Sequence, residues 1–471
     1  MPMTKTNKPN FPWLTISFIL CAVTWTYLLL VTEMLMINDA MGYESLGRLL
    51  SLGHWKEYFT TGPNREPLYP LIISWSMRLG ENFSLSYQTV QKIIQISFLI
   101  AAQILVLKVL DKCNIRDGLK ALCILYLGFS PALTNSALSL YSEIATYPLV
   151  LLAVLLLTEI WKSLPAGKPK GTILSAVALG LVMLLLTFTK GIFELITPLL
   201  MLPFLFLLAM QKKSRPKTAV FAAVFALIFF LPILGYKFLN NAYNNNFVLT
   251  NRGSAAFYGN TVRAAQKLDP ARITAALSYI PDAAGQFCLD TLPKEGCTFW
   301  SYKTSDAISQ TKVAEMIEGS ILNNEQHRLL FSLAAKEILK NPLQYFLLRI
   351  VEGSKLFFWE STSMGSVVYP DWISRLYESA ILNRALSWMA GAMTIVAFFT
   401  AAGFTWRKRK DLFSSSPASA SSATIFCIFL FLLAYIAAHS LFLVLPRYAL
   451  PAAPLYLILI AFMANGLTRT K

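Results

Sequence analysis

Long apolar runs separated by short polar connectors fill most of the chain, and this alternation fixes the elements before any single residue is considered. A helix needs about 20 mainly apolar residues to cross roughly 30 Å of hydrocarbon. Ten stretches qualify as candidates: Phe11–Val31, Val90–Leu110, Leu119–Ala137, Ile144–Trp161, Thr172–Thr187, Ile192–Met210, Ala219–Leu239, Ala385–Thr405, Ala423–Leu443 and Ala449–Leu467. Two long segments interrupt them, residues 32–89 and 240–384. The pattern predicts an all-α polytopic membrane protein of about ten transmembrane helices. Its first outer loop is amphipathic and its second long segment is a small extracytoplasmic domain. In chain order this gives a transmembrane module over 1–239, with its outer loop at 32–89, then a loop domain over 240–384 and C-terminal transmembrane helices over 385–471.

The connectors sort into two kinds. One set is short and basic: Lys5 and Lys8; Lys112, Arg116 and Lys120; Lys162, Lys168 and Lys170; Lys212, Lys213, Arg215 and Lys217; Arg407, Lys408, Arg409 and Lys410; and Arg469 with Lys471. The other set holds the two long segments and two tight turns. Lysine and arginine are retained on the cytoplasmic side of short loops, so the basic set is read as cytoplasmic and both termini as inside. The first run is longer than a signal-peptide core and no small-residue cleavage pattern follows it, so it is expected to remain as an anchor. Ser414–Ser422 reads as a flexible linker, and no internal repeat supports a transporter of inverted halves.

Composition agrees. The 471 residues are 55% hydrophobic and only 14% charged, with a mean hydropathy of +0.53, well outside the soluble range. The formal charge of +16 would suggest nucleic acid in a soluble protein. Placed in the connectors, it signals topology instead, and no nucleic-acid partner is expected.

The residues able to do chemistry gather on the outer side. Asp39 stands just beyond the first run, at helical spacing with Tyr43, Leu46 and Leu50. It reads either as the N-terminal cap of an interfacial helix or as a carboxylate held at the bilayer surface for catalysis. In the same loop, Arg65-Glu66-Pro67-Leu68-Tyr69-Pro70 is expected to form an extended turn that sets Tyr69 at headgroup level and Arg65 and Glu66 near Asp39. Glu143 lies at the outer mouth of a tight hairpin, where an unpaired charge is costly. Lys190 and Arg447 stand outside, against the topological trend, and read either as interfacial anchors or as phosphate ligands. Tyr448 flanks Arg447. His54, His327 and His439 have no metal-ligand spacing, so no protein-built metal site is assigned, although a divalent ion is left open as a cofactor. Cys288 and Cys297 both fall in the second outer segment and read as a local disulfide of an oxidising compartment, with a redox-active pair as the alternative.

Taken in order, Asn38-Asp39-Ala40…Tyr43, Arg65-Glu66-Pro67-Leu68-Tyr69-Pro70, Ser142-Glu143, Phe188-Thr189-Lys190-Gly191, the Asn244–Asn260 stretch and Pro446-Arg447-Tyr448…Pro451…Pro454 resemble the C-type (GT-C) integral-membrane glycosyltransferases. The chain is most similar to the bacterial branch related to protein O-mannosyltransferases and to the aminoarabinose transferase of lipid A. The resemblance implies a sugar donor carried on a polyprenyl phosphate, a lipid, glycan or protein acceptor, and an essential acidic residue in the first outer loop. That role maps onto Asp39. The family often carries a second acidic residue directly after this aspartate, where this chain has Ala40, which shifts attention to Glu143.

The residues fit such a transfer. A carboxylate deprotonates the acceptor and cations stabilise the leaving phosphate. Asp39, with Glu143, would be catalytic, while Lys190 and Arg447 would hold the phosphate. Tyr43, Arg65, Glu66, Tyr69 and Tyr448 would lie near substrate. The expected outcome is inversion by single displacement at the outer face of a cell inner (plasma) membrane. The alternative from another class is a transporter or flippase of lipid-linked glycans, which should place ionisable residues at mid-bilayer.

Overall fold

The computed structural model describes residues 12–164, 169–210, 215–266, 268–282, 285–316, 321–360, 367–377, 379–413, 419–442 and 444–469. Lys5, Lys8, Lys168, Lys212, Lys213, Lys471 and most of the Ser414–Ser422 linker lie outside them. Within the described residues the fold is helical throughout, apart from one antiparallel bridge that pairs Glu33–Met34 with Val367–Val368.

Nine helices among the described residues are long and apolar enough to cross a membrane: Trp13–Val31, Tyr87–Lys112, Glu143–Ser163, Gly171–Thr189, Phe193–Met210, Arg215–Asn244, Ile381–Arg407, Ala420–Ser440 and Arg447–Thr468. The remaining candidate, third in chain order, is present but broken. Asp117–Phe129 and Pro131–Leu138 meet at 49°, so the straight helix read over Leu119–Ala137 is corrected to a bent pair. Pro131 supplies the reason. A proline cannot donate to the ladder of the preceding turn, whereas it is well placed in the first turn of a new helix, where Ser130 caps the N–H of Leu133 at 3.3 Å.

The fourth span lies at the centre of the bundle, with Tyr147, Val150, Leu151, Val154 and Leu157 fully buried. The ends of the bundle sort by charge. At one end Lys112 pairs with Glu159, Lys120 sits between Asp111 and Asp117, and Arg116 donates to the carbonyl of Thr468 at 3.1 Å. Basic connectors distant in sequence therefore share one face. The opposite end carries Asp39, Arg65, Glu143, Lys190 and Arg447.

Two stretches of the long segments differ from expectation. Leu68-Tyr69-Pro70 is the first turn of a helix, Leu68–Phe83, and not an extended turn. Both prolines are tolerated because Pro67 precedes the helix and Pro70 falls where the backbone N–H groups have no intrahelical acceptor. Tyr69 is accordingly fully buried, and not at headgroup level, with its ring edge-on to Tyr43 at 5.0 Å and its hydroxyl on Gln95.

In the second segment the helices Asn324–Lys340 and Pro342–Ser354 meet at Asn341. Pro342 stands in the first turn of the second helix, and the Asn341 side chain makes no cap bond. That helix then runs down beside the ninth span, where Arg349 donates to the carbonyls of Ser440 and Leu441 at 3.1 and 3.3 Å. Its continuation enters the bundle. Phe357 meets Phe398 and Tyr456, Trp359 donates to Thr394 at 3.1 Å, and the buried Glu360 accepts from Tyr126, Ser130 and the backbone N–H of Ala132 at 2.7, 2.8 and 3.1 Å. The shorter helices between Gly253 and Trp300 close a small core of their own around Ala264, Ala275, Tyr279, Trp300 and the Cys288–Cys297 disulfide, which is present as expected.

Candidate active site

The chain leaves the first span through Glu33–Met34 and turns at Asn38, whose φ is 52°. The helix Asp39–Ser51 begins directly after it, and Asn38, not Asp39, stands in the cap position. Tyr43, Leu46 and Leu50 bury one face as their spacing requires. Asp39 opens that face and engages side chains from elsewhere in the fold. Its Oδ2 accepts from Arg447 Nη2 at 2.6 Å and its Oδ1 from Arg65 Nη2 at 2.7 Å. Arg252 Nη1 lies 3.5 Å from Oδ1.

The Arg65 guanidinium reaches Asp39 across the helix surface at Gly42, where a Cβ would stand 3.3 Å from Nη2, and it rests over the Tyr43 ring at 5.1 Å.

A second ion pair lies beside the first. Glu143, the first residue of the fourth span, accepts from Lys190 Nζ at 2.8 Å, and Arg447 Nε is 3.9 Å from the same Glu143 oxygen. Arg447 thus stands between two carboxylates, over the rings of Tyr141 and Tyr448 at 5.3 and 5.6 Å. The Tyr43 hydroxyl meets Ser142 Oγ at 3.0 Å and joins the loop after the first span to the start of the fourth span. Glu66 joins the same loop to the turn carrying Lys190, accepting from the Gly191 N–H at 2.6 Å. His439 completes the wall, its ring against Tyr435 and Tyr448 at 4.5 and 5.6 Å.

Burial favours a neutral Asp39, but the charges of Arg447 and Arg65, with Arg252, outweigh it and hold the carboxyl well below its ordinary value. Burial likewise works against the Lys190 ammonium, and the adjacent Glu143 more than reverses this, so its pKa is raised. Both groups are therefore charged at neutral pH. Four cations (Arg65, Lys190, Arg252 and Arg447) face three carboxylates (Asp39, Glu66 and Glu143), leaving one positive charge. Four buried atoms here lack a hydrogen-bond partner: Arg65 Nε, Glu143 Oε2, Arg447 Nε and His439 Nε2. Buried polar atoms are nearly always paired, so these four, beside the two ion pairs, make this end of the bundle the candidate site.

No family model and no curated protein matches the chain. The chemistry available is therefore that of the site itself: a surplus of guanidinium and ammonium donors for an anion, with carboxylates beside it for proton transfer.

Of the residues singled out from sequence, Asp39, Tyr43, Arg65, Glu66, Glu143, Lys190, Arg447 and Tyr448 gather here, although they come from five separate stretches. Tyr69 supports the site from below Tyr43. Cys288 and Cys297 lie apart, in the core of the loop domain. His54 pairs with Glu57 on an exposed turn at 2.9 Å. No group of three or more His, Cys, Asp or Glu among the described residues is placed to hold a metal ion. Sequence reasoning gave no role to Arg252, Tyr141 or His439. Arg252 carried a weak signal, a cation within the polar Asn251-Arg252-Gly253 turn. Nothing local distinguishes the other two, because a tyrosine or histidine at a helix end is common and only their convergence is informative.

Proposed function

We propose that the chain is a GT-C-type glycosyltransferase that moves a sugar from a polyprenyl-phosphate donor to a lipid, glycan or protein acceptor, with inversion, at the outer face of a plasma membrane. The observation that carries this reading is the cluster of Arg65, Lys190 and Arg447, with unpaired Nε donors on both arginines, set against Asp39 and Glu143 at one end of a helical bundle. A polyprenyl chain would lie along the spans while its phosphate meets the cations, and the sugar would then stand beside Asp39. Asp39 takes the proton of the acceptor hydroxyl, the oxygen attacks the anomeric carbon, and the bond to phosphate breaks with its electron pair left on the phosphate oxygen. Arg447 and Lys190 stabilise the charge that develops there. Donors fixed in place before charge develops supply most of the rate enhancement in many enzymes, and a positioned base contributes about 10²–10⁴-fold.

The test is sugar transfer by the purified protein from a polyprenyl-phosphate sugar, together with mass spectrometry of envelope lipids and glycans with and without the gene. Asp39→Asn should lower transfer by about 100-fold or more. Near-normal transfer by that variant would remove Asp39 from catalysis and leave Glu143 as the base.

The flippase alternative draws on Glu360, a fully buried carboxyl inside the bundle. Its oxygens are taken by Tyr126, Ser130 and Ala132, and it fastens the inward-running segment to the break in the third span. Glycan-lipid translocation in proteoliposomes without any transfer would favour this second reading.

A further inference from the structure

With no donor in place, Asp39 is bound too well to act as a base. Both of its oxygens accept charge-assisted hydrogen bonds, Oδ1 from Arg65 at 2.7 Å and Oδ2 from Arg447 at 2.6 Å, with Arg252 3.5 Å from Oδ1. A carboxylate in this state is held ionised and accepts a proton poorly. The same two guanidinium groups hold capacity in reserve. Arg65 Nε and Arg447 Nε are buried and have no hydrogen-bond partner, and a guanidinium grips phosphate best with two N–H groups together.

We propose that the guanidinium groups of Arg65 and Arg447 exchange from Asp39 to the phosphate of the incoming polyprenyl-phosphate donor, and that this exchange releases Asp39 to act as the base. The inference rests on the transferase reading above and adds an order of events to it. The donor phosphate is a diester with one negative charge. As the bond from the anomeric carbon to its oxygen breaks, the electron pair stays on that oxygen and the group moves toward a phosphate monoester of about −1.5 to −2 charge. Its hold on Arg65 and Arg447 therefore strengthens along the reaction coordinate, which is where binding energy accelerates a step. Asp39 loses its partners over the same interval and gains basicity as the acceptor hydroxyl gives up its proton. Atoms and charge balance: the new bond to the acceptor oxygen replaces the bond to the phosphate oxygen, the proton passes to Asp39, and the negative charge passes from Asp39 to the leaving phosphate. With no donor in place Asp39 stays quenched, so an acceptor arriving first is not deprotonated.

Exchange means that Asp39 and the phosphate compete for the same cations. The protein in detergent is titrated with a polyprenyl phosphate bearing no sugar, with inorganic phosphate, and with phosphatidylglycerol. Wild type is compared with Asp39→Asn or, if that variant does not purify folded and monodisperse, with Asp39→Ser. Removing the competing carboxylate should tighten polyprenyl-phosphate binding by about tenfold, roughly the effect of one hydrogen bond to a charged group, although the same substitution lowers transfer. Unchanged or weaker binding would show that Asp39 and phosphate do not compete, and would overturn the exchange. A gain shared by inorganic phosphate supports exchange through the phosphate group alone, whereas a gain confined to phosphatidylglycerol overturns it in favour of a membrane headgroup site. Failure of wild type and variant alike to bind polyprenyl phosphate would overturn the transferase reading beneath the proposal.

Discussion

Asp39 and Arg447 are 408 residues apart in sequence and 2.6 Å apart in the fold, and their pairing sets the acid–base behaviour of the site. The Asp39 carboxyl is depressed below its unfolded value, so its stabilising effect is complete above the ordinary carboxylate range, about pH 4, and is lost only as pH falls through the lower folded value. The difference in unfolding temperature between wild type and Asp39→Asn should therefore stay level from pH 8 to about 5 and shrink below about 4. A gap that closes between pH 7 and 5 would contradict the ion pairs. In the proposed transfer, Arg447→Ala should weaken donor binding and turnover together, because its cation would serve ground and transition states alike. Arg447→Lys should restore only part of both, since a point charge cannot reproduce a two-pronged contact. Glu143→Gln leaves the half-buried Lys190 without its counter-charge. Breaking a fully buried pair from one side costs about 3–5 kcal/mol, and the partial exposure of Lys190 sets the loss below that range, read in the unfolding temperature. That Asp39, Glu143, Lys190 and Arg447 were legible as single residues follows from the expense of charge beside a bilayer. Their pairing was not legible, because any two cations and carboxylates could have been matched from sequence alone.

The first span and the first half of the broken third span meet at closest approach where Gly128 faces Cys21, and where Trp25 Nε1 donates to the Gly128 carbonyl at 2.9 Å. A Cβ at Gly128 would run into Cys21 Sγ. Gly128→Ala should cost about 1–3 kcal/mol through overpacking. Adding Cys21→Ala should return much of that loss, a coupling that a thermal-unfolding cycle of the two variants measures. No recovery in the double variant would mean that the two helices do not pack through this contact. The disulfide gives a second check at this scale. Cys288 and Cys297 should resist alkylation until a reductant is added, and their replacement by serine should cost about 2–4 kcal/mol. The other four cysteines, Cys21, Cys113, Cys123 and Cys427, are buried, so labelling of the native protein should be slow throughout. The helices themselves were legible, because a run of apolar residues of bilayer length has few other solutions. The break at Ser130-Pro131 was signalled by its proline, although the apolar run concealed it. The entry of Phe357 and Trp359 into the bundle was not legible. Their aromatic character suits a domain core equally well, and only the partners Phe398, Tyr456 and Thr394 distinguish the two.

Across the molecule, charge is segregated to the two ends of the bundle, and this carries a topological expectation. A cysteine placed at the exposed Lys303 should react with an impermeant reagent in intact cells, and one at the exposed Lys410 only after permeabilisation. The opposite result would invert the arrangement. Ser254 would be a poor reporter, since it is buried against His327 at 2.5 Å. By itself the amino-acid sequence determined the class of fold, the number and order of spans to within one bent helix, the connectors that share a face, and the disulfide. Each of these depends on local length, hydrophobicity or spacing. Tertiary structure alone decided which charges meet, that Tyr69 is buried, that Arg252 and His439 join the site, and that residues 342–360 turn inward. These are contacts between stretches far apart in the chain. Ion-pair energies depend on separations of a few ångströms and on burial, and neither quantity is encoded at the positions where the residues stand.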